Sequence, residues 1–333
     1  ASRRSGGNIV LDRESCYQCP LAAECRTSRE GDPLDMSSSG KTIYLIDGSS
    51  YIHRAYHAIR HLATSKGFPT NAVYGFTTML LSLLNQHQPE YVAVVLDTKG
   101  PTFRHKLYEP YKANRPPVPE DLRLQLPYIR QVVEGLRLRL LQRSGYEADD
   151  VMGTIVKMAE QRGFQTVLVT GDKDFKQLLS PQTVMWDPMK DHRTDYASFR
   201  THYDLEPPQW IDVMGLSGDS SDNIPGVPGI GEKTASQLIK SFGSMESLFT
   251  DLKNVTRKKL RETLDKHRDQ ALLSRQLVRI DTQVPIAVDL ESLKYVEPDG
   301  ATLGHLFKEL EFRSLQKKFP LESDLSHKEY RAV

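Results

Sequence analysis

From Lys41 onward the chain alternates two hydrophobic patterns. Thr42-Ile-Tyr-Leu-Ile46, Tyr91-Val-Ala-Val-Val-Leu96 and Thr166-Val-Leu-Val-Thr170 are short, β-branched apolar runs. None alternates with polar residues, so each predicts a strand buried on both faces. Between them the apolar positions fall at helical spacing. One such segment carries Phe76, Met79, Leu80, Leu83 and Leu84; another, after Glu147-Ala-Asp-Asp150, carries Val151, Ile155, Met158 and Ala159. Strand–helix–strand alternation predicts an α/β fold with a parallel sheet flanked by helices. After Leu205 the strands stop. Pro207-Pro208 open a helix through Trp210, Val213 and Met214, a Gly/Pro-rich turn follows, and a second helix is expected over Glu232–Phe242. A basic helical stretch comes next, and Leu306, Phe307, Leu310 and Leu315 give helical spacing within Leu303–Phe319. The expected organisation is an appendage and linker over 1–40, an α/β core over 41–205, a helical subdomain over 206–290 and a helical extension over 291–333.

The three strands share an ending. The first runs into Asp47, the second into Asp97, and the third into Gly171-Asp172-Lys173-Asp174. Open parallel sheets bind ligands at the carboxyl ends of their strands, so these acids are expected along one edge. Glu147, Asp149, Asp150, Asp219 and Asp222 are further candidates at turns and element ends. Each cluster alone has an ordinary reading as a helix cap, a solvated loop or a turn. Together they would repel one another and raise their own pKa values. Hard divalent cations such as Mg²⁺ or Mn²⁺ relieve that repulsion through oxygen ligands. Two such ions can activate water and stabilise both oxygens exchanged at a phosphodiester.

Charge sharpens this picture. The 333 residues carry a net charge of only +1, but the distribution is uneven. Lys99–Arg143 holds ten Lys/Arg against four Asp/Glu, and Lys253–Arg279 holds nine against three. A phosphate-tracking surface around a cation-binding centre has this segregation; solvated helix faces are the plainer reading. In the first stretch, Phe103-Arg-His-Lys-Leu-Tyr108 and Tyr111-Lys-Ala-Asn-Arg115 interleave cations with aromatics. That combination can hold phosphates and stack on unpaired bases. The turn from Gly226 to Thr234 opens a helix and suits an anion on backbone N–H groups. No apolar run approaches the ~20 residues of a membrane span. No Ser/His/Asp set, Cys/His pair or Walker-type loop is present. A haloacid-dehalogenase-type phosphatase needs a second acid two residues after Asp47, where Ser49 stands. The three cysteines, Cys16, Cys19 and Cys25, lie close together. They read as reduced thiols of an intracellular, cytoplasmic protein, or as an incomplete zinc knuckle lacking a fourth ligand.

Five motifs carry a resemblance. Asp47-Gly-Ser-Ser-Tyr-Ile-His-Arg-Ala-Tyr, Tyr111-Lys-Ala-Asn-Arg-Pro-Pro, Glu147-Ala-Asp-Asp, Thr170-Gly-Asp-Lys-Asp and Gly218-Asp-Ser-Ser-Asp-Asn-Ile-Pro-Gly-Val-Pro-Gly-Ile-Gly-Glu-Lys-Thr-Ala resemble the 5′-nuclease domain of bacterial DNA polymerase I. That domain belongs to the flap endonuclease superfamily. The resemblance runs from about Lys41 to at least Pro285, in motif order. It implies a PIN-like sheet with a helix-three-turn-helix subdomain. It also implies a metal-dependent 5′-3′ exonuclease and flap endonuclease acting as a monomer on DNA with a free 5′ end. A non-catalytic junction-binding module is the competing reading. By position, Asp47, Asp97, Glu147, Asp149, Asp150 and Asp172 match the tighter metal group, and Asp174, Asp219 and Asp222 the looser one. Arg54 and Lys112 match basic residues near the scissile phosphate. Arg104, Tyr108, Tyr111 and Arg115 fall in a helical gateway around 99–125. Gly226, Gly229, Gly231, Lys233 and Thr234 match the duplex-gripping turn, with a K⁺ ion. Roles in primer removal and repair follow from the same likeness, for a free-standing nuclease or for part of a longer polymerase.

Overall fold

The computed structural model describes residues 40–321. In chain order the elements are β1 (Thr42–Asp47), α1 (Gly48–Ala58), α2 (Asn71–His87), β2 (Tyr91–Val95), α3 (Phe103–Leu107), α4 (Glu120–Gly135), β3 (Arg139–Leu141), α5 (Ala148–Gln161) and β4 (Gln165–Val169). They continue with β5 (Thr183–Asp187), β6 (His192–Thr194), α6 (Tyr196–Tyr203), α7 (Trp210–Ser217), α8 (Glu232–Phe242), α9 (Met245–Thr250), α10 (Lys258–Lys266), α11 (Arg268–Val278), α12 (Gly300–Glu309) and α13 (Arg313–Gln316).

The six strands lie in the order β3-β2-β1-β4-β5-β6. All neighbours are parallel except the β5–β6 pair. The chain builds outward from β1 to β2 and β3, then returns to add β4 and β5 on the other side. The reversal sits between β1 and β4, where a ligand crevice forms at the carboxyl ends. Successive side chains of β1 point to opposite faces. Ile43 and Leu45 join Val151 and Ile155 of α5 in one buried cluster, whereas Tyr44 stacks on His87 of α2. Both faces are covered, which explains why the strand runs lack polar alternation.

Three strands escaped the sequence pattern. β3 has three residues, and β6 reads His-Arg-Thr at the antiparallel edge. β5 is Thr-Val-Met-Trp-Asp, buried throughout, and it too ends in an aspartate, Asp187. The segment expected to form a gateway is also less helical than predicted. α3 has five residues, and the chain then runs through turns to Glu120.

The helical half is fastened directly to the sheet edge. Trp210 is fully buried, and its indole N–H donates to the Lys173 carbonyl at 3.1 Å. Burying such a side chain contributes roughly 1.5–3 kcal/mol. Helix α7 ends at Gly218, whose φ is 69°. Asp219 and Ile224 then exchange both backbone hydrogen bonds, at 2.9 and 2.7 Å, and close a tight loop displaying Ser220–Asn223. Gly226, at φ 58°, packs so closely on Gly218 that a Cβ would lie 2.4 Å from the Gly218 nitrogen. The β2–α4 connection is stitched to this loop. The Lys112 amide donates to the Asp222 carbonyl (2.9 Å), Asn114 Nδ2 to the Ser220 carbonyl (2.7 Å) and Asn223 Nδ2 to the Pro110 carbonyl (2.6 Å).

Candidate active site and nucleic-acid interface

Four adjacent strands deliver acids to one edge. Asp47 ends β1, caps α1 through Ser50 N–H (2.9 Å) and accepts the Thr170 hydroxyl (2.9 Å). Asp97 follows β2; its Oδ1 accepts Ala148 N–H at 2.8 Å, and its own N–H donates to Ser49 Oγ at 3.0 Å. Beyond β3 the chain enters Glu147–Asp150 at the start of α5, where acids favour the helix N-terminus. Asp172 follows β4 and accepts Asp174 N–H at 3.0 Å. The α7–α8 loop closes the group from the helical side. Tyr111 Oη bridges the two halves, donating to Glu147 at 2.9 Å and Asp222 at 3.3 Å. Lys173 Nζ reaches Asp219 at 2.9 Å.

The electrostatics are those of crowded carboxylates. Burial pushes Asp47 up to about 6, reinforced by Asp97 and Asp172 against hydrogen bonds from Ser50 and Thr170. Burial, then repulsion from Asp172, Asp47, Glu147 and Asp97, holds Asp149 well above the usual range. Asp174 is raised by burial and by Asp172 and Asp219, and its Oδ1 is buried without a hydrogen-bond partner. Asp172 keeps an accessible edge, yet the protein packed around its carboxyl still raises it. Asp219 moves the other way. Burial opposes the shift, but bonds from Ser221 and Lys173 lower it. Among the described residues no three acids close around one point, so the acids line a basin and do not form a finished chelate. Internal cations neutralise part of that basin. Lys112 Nζ lies 2.7 Å from Glu147 and 3.6 Å from Asp222, and Arg115 pairs with Asp222. Burial opposes a charged Lys112, but the Glu147 and Asp222 charges outweigh it and raise its pKa. An all-oxygen donor set with an orphaned buried oxygen fits hard divalent cations.

Several expected site residues have other work. Asp150 does not fit a metal ligand. It is fully buried and its two oxygens take the Arg104 guanidinium (2.7 and 2.8 Å) and the N–H groups of Glu147 (3.0 Å) and Asp281 (2.8 Å). Arg104 is equally removed from DNA. It is buried, and it also donates to the carbonyls of Leu277 and Arg279. This clasp ties α3, α5 and the end of α11 together. Tyr111 cannot stack on a base, because its ring is buried against His105 with Lys112 over it. Tyr108 is half-buried against the core. Gly226 offers no free backbone group: its N–H donates to Ser274 Oγ and its carbonyl accepts from Gln270. By contrast Gly229, Gly231 and Lys233 are exposed, Thr234 is half-buried, and Gly231, the residue before α8, gives that helix no side-chain cap. Arg54 is held at the same edge by Asp187, Nη1 to Oδ1 at 2.8 Å. Sequence reasoning missed Asp187, Thr170 and Lys173. The signal for Asp187 was present, since it ends an apolar run as the other strand-end acids do. Cys16, Cys19 and Cys25 lie outside the described residues.

Comparison with known proteins converges on one group. Residues 42–204 match the family described as 5′-3′ exonuclease, N-terminal resolvase-like domain, and 205–301 match 5′-3′ exonuclease, C-terminal SAM fold. A 5′-3′ exonuclease of Aquifex aeolicus is 39% identical over 278 residues, covering 84% of this chain and 95% of that protein. DNA polymerase I of Bacillus caldotenax is 41% identical over 294 residues, covering 87% of this chain and 33% of the polymerase. The chain thus spans about a third of its polymerase relatives. In fold it is similar to T5 5′-exonuclease solved with bound zinc (TM-score 0.61, 20% identity, 84% of this chain and 99% of that one). The catalytic core of Rad2 with DNA substrate is also similar (TM-score 0.58, 17% identity, 82% and 88%). The chain belongs to the 5′-3′ exonuclease family.

Proposed function

We infer that this chain is a structure-specific 5′ nuclease, a 5′-3′ exonuclease and flap endonuclease acting on branched or nicked DNA. The observation that carries the reading is the basin itself. Asp47, Asp149 and Asp174 have raised pKa values, the Asp174 Oδ1 is unpartnered, and in the helical half α8 opens without a side-chain cap. Asp47, Asp97, Glu147, Asp149 and Asp172 would hold one Mg²⁺ or Mn²⁺, and Asp174, Asp219 and Asp222 a second. When bound, such ions supply a water of lowered pKa and neutralise charge on the attacking and leaving oxygens. The chain's own groups do the rest. Lys112 leaves Glu147 and Asp222 for the incoming phosphate, and Arg54 steers the same group from the opposite side. The N–H groups opening α8, with Gly229 and Lys233, hold a duplex phosphate without reading sequence. A K⁺ ion at that turn would strengthen the grip, while Arg115 and Tyr108 lie along the single strand's path. The products carry 5′-phosphate and 3′-hydroxyl ends, and the nuclease works as a monomer in a reducing compartment.

An end-labelled 5′ flap tests this. Cleavage is expected in Mg²⁺ and absent in EDTA, with binding retained in both. Binding without cleavage under every divalent condition would instead make the chain a junction-binding module.

A further inference from the structure

The carboxyl edge of the sheet is electrically polarised. Acids gather over β3, β2, β1 and β4. Over β4, β5, β6 and α6 lies a cleft of about 520 Å³ with the opposite character. Its wall carries Lys176, Lys190, His192, Arg193 and His202, with Lys173, already paired with Asp219 at 2.9 Å, at the border with the acids. Its one carboxylate, Asp187, is already engaged by Arg54, with Lys190 at 3.8 Å. Lys176 has no carboxylate partner among the described residues; it donates to Tyr203 Oη at 2.8 Å and lies over the Tyr203 and Trp210 rings. Thr170, Gly171 and Lys173 line the cleft and immediately adjoin Asp172. With strands ~4.8 Å apart, β5 and β6 lie roughly 5–10 Å from β4, a spacing of one or two nucleotides.

We propose that this cleft is a backbone-phosphate subsite, holding a phosphodiester of bound DNA one or two nucleotides from the bond that is cut. Its polar groups are the Lys and Arg cations, two histidines, the engaged Asp187 and the hydroxyls of Thr170, Thr194, Ser198 and Tyr203, with Met185 and Phe199 on the apolar side. Cations and hydroxyls suit a backbone phosphate, which every nucleotide carries alike. Its contribution is therefore independent of sequence and strongly dependent on salt. The proposal rests on the nuclease reading for the direction in which DNA crosses the edge, but the cleft's affinity for phosphate does not.

The test uses Lys190→Ala combined with His202→Ala, both exposed and outside the carboxylate basin. In EDTA, the variant's Kd for a 5′ flap should rise about 3–10-fold, and its salt slope should flatten by about 1 for each phosphate no longer neutralised. Turnover at saturating flap in Mg²⁺ should match the wild type. Unchanged affinity and slope would overturn the subsite, while a wild type that binds flaps but never cuts them sinks only the nuclease reading. A second measurement stands apart from DNA cutting. Thymidine 3′,5′-bisphosphate titrated against the wild type should shift the His192 and His202 ring resonances weakly, and the variant's remaining His192 resonance less. No shift would overturn the proposal. Tight nucleotide binding with an unaltered flap salt slope would also overturn it, making the cleft a free-nucleotide site.

Discussion

Asp47 and Asp150 are both buried at the same sheet edge, but their neighbours give them opposite tasks. Asp47 has two hydrogen bonds from uncharged donors and other acids facing it; Asp150 has a full guanidinium and two amides. The first holds a charge that wants a cation, the second a charge already answered. Asp47's folded pKa, raised to about 6 from an ordinary 3.8, fixes the sign of its pH effect. Between those values the folded protein keeps a proton that the unfolded chain has lost. Stability from this group falls as pH rises from about 4 to about 6, by on the order of 3 kcal/mol. In EDTA, Asp47→Asn should therefore melt above the wild type at pH 7, and the difference should close near pH 4. Excess Mg²⁺ should reverse the order, because only the wild type gains the binding energy. For the clasp, Arg104→Met leaves Asp150 buried and unpaired, an expected loss of about 3–5 kcal/mol by urea denaturation. Adding Asp150→Leu should recover part of it; no recovery would show that the bonds to Leu277 and Arg279 matter more. Asp149→Asn should bind flaps and cut them ~10²-fold more slowly, a barrier change near 3 kcal/mol. Full activity would remove Asp149 from the metal group.

At the scale of elements, the pattern along the chain was readable wherever burial was two-sided and local. β1, β2, β4, α2, α5 and α8 stand where the apolar runs and spacing put them. β3 and β6 were not readable, because a three-residue edge strand owes its form to its neighbour and carries no period of its own. The acids at the strand ends were legible for the same reason as the strands. What no pattern could separate was Asp149 from Asp150, since only tertiary contact with Arg104 and Asp281 tells them apart. Gly226 and Gly229 make the same point within one turn. Both have positive φ, but a Cβ at Gly226 meets the Gly218 backbone whereas at Gly229 it meets nothing. Gly226→Ala should cost more than ~2 kcal/mol by calorimetry, and Gly229→Ala only the ~1 kcal/mol of a left-handed residue. Equal costs would mean that the α7–α8 turn relaxes freely.

Across the whole molecule, a near-neutral total hides an acidic basin, a basic cleft next to it and an uncapped helix start beyond. No helix among the described residues is long and apolar enough to cross a membrane. The three hydrogen bonds to main-chain carbonyls that join Pro110–Asn114 to Ser220–Asn223 fix the offset between these features. Lys112 supplies two of its ties, an amide on the Asp222 carbonyl and an ammonium on Glu147. Under the proposed function the stitched segment would act as a ruler, measuring from the gripped duplex to the carboxylates and not from the 5′ tip. Lengthening the flap should leave the cut at the same nucleotide on a sequencing gel, whereas two glycines inserted after Gly229 should move it. A cut that tracked flap length would mean that the scale is read from the other end.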